Sequence, residues 1–171
     1  MSLWVNVDFK ELEDLQDRVE RLSKPQMIKF FDDCCKELAA RLLGKVIPAT
    51  PVGDYSRNVE KYKKEGGTLR RGWTAGKEQD PRAFAYSLPV QKVSDGYIIT
   101  VENIVEYASF VEYDHRQRPG RFVPAIGKKL KRSLIPGKFM LTKSEIELGA
   151  ELPMIVKQKM LKLLEDVFDG K

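Results

Sequence analysis

Val90-Gln91-Lys92-Val93-Ser94-Asp95-Gly96-Tyr97-Ile98-Ile99-Thr100-Val101 decides the class of fold. Two runs rich in β-branched residues flank Ser94-Asp95-Gly96, a turn sequence, so the segment reads as the two arms of a β-hairpin. Alternation puts Tyr97, Ile99 and Val101 on one face. Upstream, Pro89 makes its strand an edge or an interrupted one. Further strand signals precede it at Phe84-Ala85-Tyr86-Ser87-Leu88 and at Thr68-Leu69-Arg70-Arg71-Gly72-Trp73-Thr74. The expectation is an antiparallel sheet of three to four strands.

Helical patterns lie on both sides of this sheet. Ser23-Lys24-Pro25-Gln26 reads as a capped start, followed by a broad apolar stripe from Met27 and Ile28 through Phe31, Cys34, Leu38 and Leu42 to Val46, with Pro48 ending the helix. Before it, Asp8-Phe9-Lys10-Glu11 resembles a capping box, and Leu12, Leu15, Val19 and Leu22 recur at helical spacing. That stripe over residues 9 to 22 is narrow, suited to packing on the domain body or on another subunit. Downstream, Val105, Ala108 and Val111 predict a short helix within 104 to 113. Thr142-Lys143-Ser144-Glu145 reads as another capping box, opening a helix that Gly149 and Pro153 should kink or divide. The reading is therefore α+β, with the sheet packed against a long helix in the N-terminal half and a C-terminal helix. Residues 1–24 form a helical extension and residues 25–171 a single domain. Long loops occupy 48 to 67 and 114 to 138.

With 171 residues, 42% hydrophobic and 32% charged, the chain is long enough for one self-sufficient core. Its formal charge is +5, yet residues 115 to 138 hold eight Lys or Arg and no Asp or Glu, which leaves −3 for the remainder. The basicity is local, which favours a specific anionic contact over a general coating of nucleic acid. Cys34 and Cys35 are neighbours within a helical stripe, poorly placed for a disulfide framework, which points to a reducing cytoplasm. No apolar run is long enough to cross a bilayer, and the N-terminus lacks the pattern of a secretory signal, so a soluble protein without membrane contact is expected.

Catalytic chemistry finds little to work with. His115, the only histidine, sits among arginines in a loop, where a solvated residue is a better account than a general base. Cys34 and Cys35 lack the partners of a zinc site. Gly66-Gly67-Thr68 and the later glycines match no phosphate-cradling pattern. Glu11, Glu13, Asp14, Asp17 and Glu20 fall on the polar side of an amphipathic stripe. The expectation is a protein without enzyme activity, metal or cofactor.

The basic loop is the feature that composition does not explain. Phe122, Val123, Leu130, Leu134 and Ile135 interleave with its cations, more apolar surface than a solvated loop needs. The candidates for an interface are Arg70, Arg71, Trp73, Tyr107, Glu112, Tyr113, Arg116 and Arg118. A nucleic-acid-binding module using residues 115–138 on phosphates is the alternative.

Four segments in order carry a resemblance: Ala49-Thr50-Pro51-Val52-Gly53, Gly67-Thr68-Leu69-Arg70-Arg71-Gly72-Trp73, Val105-Glu106-Tyr107-Ala108-Ser109-Phe110-Val111-Glu112-Tyr113, and Pro136-Gly137-Lys138-Phe139-Met140-Leu141. Across residues 25 to 168 the chain resembles the tail-completion and head-tail joining proteins of tailed phages, the gene-product-ten-like group related to minor tail protein Z. Two departures stand out. Gly53-Asp54-Tyr55 follows Val52 where that group has Thr-Gly, and Asp114 follows Glu112-Tyr113 where it has Gly. The resemblance implies a structural role in the neck of a phage or prophage particle, made in the host cytoplasm and carried into the virion neck or tail. It implies connector and tail-tube proteins as partners and a homo-oligomeric ring on assembly, with at most weak contact to DNA.

Overall fold

The computed structural model describes residues 24–53, 66–76, 80–94, 96–124 and 128–168. Element order is α1 (Lys24–Ala49), α2 (Thr68–Gly72), α3 (Pro81–Ser87), β1 (Val90–Val93), β2 (Gly96–Ile99), α4 (Ala108–Glu112), β3 (His115–Arg116), β4 (Phe122–Val123), β5 (Lys128–Lys129), β6 (Leu134–Ile135) and α5 (Met140–Phe168). The expected helix over 9–22 and the cap at Ser23 lie outside the described residues, as does 54–65 of the first loop.

The α+β class holds, with the strands arranged differently from the single sheet expected. Among the described residues they form three two-stranded antiparallel ladders, β1–β2, β3–β6 and β4–β5. The hairpin has the register read from its turn, Val90 opposite Ile99 and Val93 opposite Gly96. Tyr97 stacks on Phe31 of α1, centroids 4.9 Å apart, which seats the hairpin on that helix.

Two of the expected strands are helices. Residues 68–74 contain α2, because Leu69 and Trp73, four apart, turn to one side and are both buried. Residues 84–88 belong to α3, which Asp80 caps by accepting from the Ala83 amide at 2.8 Å and Pro81 opens.

The core is built on α1. Ala39, Ala40, Leu43 and Val46 meet Leu69 and Trp73 of the α2 segment, Ala85 of α3 and Met140 at the start of α5. The three alanines are small enough to let backbones approach closely. Pro48 does not end α1, contrary to expectation; it sits inside the last turn, where its missing amide removes one helical bond only. The end is closed from outside. Arg70 donates through Nε to the Thr50 carbonyl at 2.7 Å and through its terminal nitrogen to the Pro48 carbonyl at 3.0 Å, a cation on the carbonyl end of a helix. Beside it, Trp73 Nε1 donates to Thr50 Oγ1 at 2.8 Å, and that hydroxyl donates to the Val46 carbonyl at 2.7 Å.

Glu37 of α1 is a second tie. Its carboxylate accepts from Arg41 at 2.9 Å, from Arg82 at 2.9 Å and from the Tyr86 hydroxyl at 3.1 Å, clamping α3 to α1. Burial pushes its carboxyl up, but these three donors outweigh burial and hold it below its ordinary value. On the other flank Lys45 pairs with Glu151 at 2.8 Å and with Glu147 at 3.4 Å, so α1 and α5 lie against each other. Helix α5 is not divided at Gly149 or Pro153. Cys34 is buried and Cys35 half-buried, both unpaired, and burial pushes both thiols up.

Candidate docking interface

The second loop of the sequence reading is a folded arm. After α4 the chain runs out through β3 and β4 and returns through β5 and β6, with His115 opposite Ile135, Arg116 opposite Leu134, Phe122 opposite Lys129 and Val123 opposite Lys128. Backbone bonds from Gln117 N to Ser133 O, Gly120 N to Leu130 O and Leu130 N to Arg121 O join the two short ladders into one two-stranded ribbon. Such a ribbon is marginal alone. Its stability comes from the way its base is closed.

Glu112, the last residue of α4, closes it. Burial again pushes the carboxyl up, but the Leu141 amide at 2.9 Å and the Thr142 amide and hydroxyl at 3.0 and 2.8 Å outweigh it and hold the group below its ordinary value. The carboxylate therefore caps α5, whose N-terminal amides and dipole favour an anion. The capping box expected at Thr142 and Glu145 does not form the start, since α5 begins at Met140 and Thr142 is a donor to Glu112. Lys138 N donates to Val111 O at 2.8 Å and Phe139 N to Glu112 O at 3.0 Å. Phe139 is held at φ 53°, a left-handed conformation costly for a bulky residue. Gly137 passes so close to this junction that a Cβ there would strike Glu112 O, the Tyr113 carbonyl carbon and Asp114 N. Asp114 completes the closure by accepting the Gly137 amide at 2.7 Å.

The arm's surface carries the cations. Arg116, Arg118, Arg121, Lys128, Lys129, Lys131 and Arg132 are all exposed, and Phe122 and Leu134 stand out between them at 55% and 51% exposure. At the base, Phe110 is 58% exposed and holds the His115 ring edge-on at 5.6 Å. His115 Nδ1 is buried without a hydrogen-bond partner among the described residues. Tyr107 and Tyr113 are exposed on the same short helix and its ends. A shallow cleft of about 230 Å3 opens where Tyr107 and Val111 meet Pro51–Gly53 and Gly67–Leu69. The stems of the 48–67 loop therefore converge on α4, as does the base of the arm.

The eight candidates fall into two groups. Arg70, Trp73 and Glu112 are engaged in the interior bonds described, and Arg71 donates to the Gly66 carbonyl at 3.4 Å, so these four shape the fold. Tyr107, Tyr113, Arg116 and Arg118 are exposed around α4 and the arm. Phe110, three residues from both Tyr107 and Tyr113 and not among the eight, is exposed with them. Among the described residues no three His, Cys, Asp or Glu side chains gather as metal ligands would, and no helix is long and apolar enough to cross a membrane.

The described residues thus present a basic ribbon beside the exposed aromatics Tyr107, Phe110 and Tyr113. The family profile described as "Bacteriophage HK97-gp10, putative tail-component" matches residues 13–113, and the chain belongs to that family of phage tail components. No curated protein and no solved structure matches it significantly. The match takes in α1 to α3, the hairpin and α4 and ends at Tyr113, where the arm leaves the body, so the arm and α5 lie outside it.

Proposed function

We propose that the protein completes the tail and joins it to the head, acting as a non-catalytic subunit of a homo-oligomeric ring in the neck that contacts connector and tail-tube proteins. The observation that carries this reading is the arm: a ribbon with a closed base, cationic along its length with exposed Phe122 and Leu134 between the cations, suited to an acidic surface on another protein. Ring symmetry lets modest contacts from each subunit add. Its buried carboxylates support a structural role, since Glu37 and Glu112 are saturated with donors and neither is poised for chemistry. Assembly would take place in the host cytoplasm before incorporation into the virion.

The test is complementation of a particle lacking this gene by Arg116→Glu/Arg118→Glu protein. Separate heads and tails should accumulate while the variant keeps the wild-type melting temperature. Normal joining by that variant would refute the role. The same cations favour a second reading, a DNA-binding module. That reading requires tight binding that weakens steeply with salt, whereas the joining role predicts DNA contact too weak to survive physiological ionic strength.

A further inference from the structure

Away from the arm, α1 and α5 separate at one end. Lys45, late in α1, pairs with Glu147 and Glu151, early in α5, while the first turns of α1 and the last turns of α5 line one cleft, so the two helices run antiparallel. Between them lies a cleft of about 350 Å3. Its apolar lining comes from Phe30, Leu163 and Val167. Lys29, Lys159 and Lys162 stand around it, against two carboxylates, Asp33 and Asp166. Met160 and Leu161 add exposed apolar surface on the same stretch of α5. The space suits a few aliphatic side chains on an amphipathic segment, not a compact domain.

We propose that this cleft receives residues 9–22 of a second copy of the chain. Three observations choose that occupant. Helix α1 begins at Lys24, two residues before Gln26 in the cleft wall, so the segment that precedes it joins the body at this end. That segment repeats Leu12, Leu15, Val19 and Leu22 at helical spacing and carries five Asp or Glu against three Lys or Arg, an apolar stripe on a net acidic segment, while the apolar cleft has a rim with three lysines and two carboxylates. If the helix expected over residues 9–22 runs to Leu22, only Ser23 lies between it and α1, whereas antiparallel helices need a connection of about two to five residues. On that expectation the proposed seat of the stripe is a neighbour's cleft and not its own. The family match begins at residue 13, so most of the stripe belongs to the family domain. The resulting contact is head-to-tail, the kind that closes into a ring when the rotation permits.

This inference rests on the reading of the chain as an assembly subunit and is tested apart from head-tail joining. Full-length protein carrying the photoreactive residue p-benzoylphenylalanine in place of Lys162 is prepared in ordinary and in 15N-labelled form, mixed, irradiated and digested. The expected product joins the residue-162 peptide to a peptide from 9–22, with mixed isotopes in the pair. Leu12→Asp/Leu15→Asp in the same protein should lower its yield at least about tenfold, since burying one leucine is already worth about a factor of ten in a binding constant, without lowering the melting temperature of the body. Cross-links within one copy only, cross-links to other segments, no cross-links, or a yield indifferent to the double substitution would each overturn the proposal. Failure here with intact dependence of joining on Arg116 and Arg118 would leave the role of the arm standing.

Discussion

Glu112→Ala should separate the arm from the body more cleanly than any change in the arm itself. The carboxylate is 5% exposed and accepts from two amides and one hydroxyl of the first turn of α5. A hydrogen bond to a charged acceptor contributes about 1.5–3 kcal/mol, and a carboxylate at a helix N-terminus up to about 2 kcal/mol. These contributions overlap, so the loss on truncation should be about 3 kcal/mol, or a fall in melting temperature of about 6–12 °C for a chain of this size. Glu112→Gln keeps the shape but not the charge and should lose about half as much. The pH dependence follows from the depressed carboxyl. Its stabilisation is complete above the unfolded-chain value of about 4.3 and disappears as the pH falls through the folded value below it. Urea unfolding monitored by tryptophan fluorescence between neutral and acid pH reads both effects. The wild-type advantage over Glu112→Gln should shrink toward the acid end, with other carboxylates such as Glu37 titrating alike in both proteins. A gap that stays constant with pH, or a Glu112→Ala loss below about 1 kcal/mol, would refute the account of the arm's base.

Thr50→Val preserves volume but strands Trp73 Nε1 in the interior, and should cost about 1–3 kcal/mol in the same unfolding experiment. Gly137→Ala places a Cβ against backbone atoms of 112–114 that cannot retreat, so hydrogen exchange at the Lys138 and Phe139 amides should rise well before global unfolding. Arg82→Ala removes a largely exposed partner of Glu37 and should change stability by less than about 1 kcal/mol, measured by thermal unfolding.

What could be read in the sequence followed the length of each pattern. Helix α1 repeats its apolar spacing over several turns, and the hairpin carries its own turn, so both were legible. Helices α2 and α3 were not, because five and seven residues are too few for a period to show against strand-forming Thr, Trp, Phe and Tyr. The decisive cues there were local: Leu69 and Trp73 four apart, and Asp80-Pro81 as a cap followed by a first-turn proline. The basic loop was recognised by charge, but its ribbon depends on pairs of residues up to 20 positions apart, His115 with Ile135. Glu112 was picked out for the wrong reason. Its partners lie 29 and 30 residues downstream, so no nearby spacing announces a cap. Arg70 likewise looked like a surface cation until α1's carbonyls proved to be its acceptors.

The two strands of the arm depart from and return to nearly the same point, at Glu112–Asp114 and Gly137–Phe139. Everything distal to that socket can therefore be lengthened, shortened or rewritten with little consequence for the scaffold, since closing a longer excursion adds only about 0.6 kcal/mol per doubling. A tail component built this way can change what its arm presents by exchanging a tip, while the core that tolerates no such exchange is left alone.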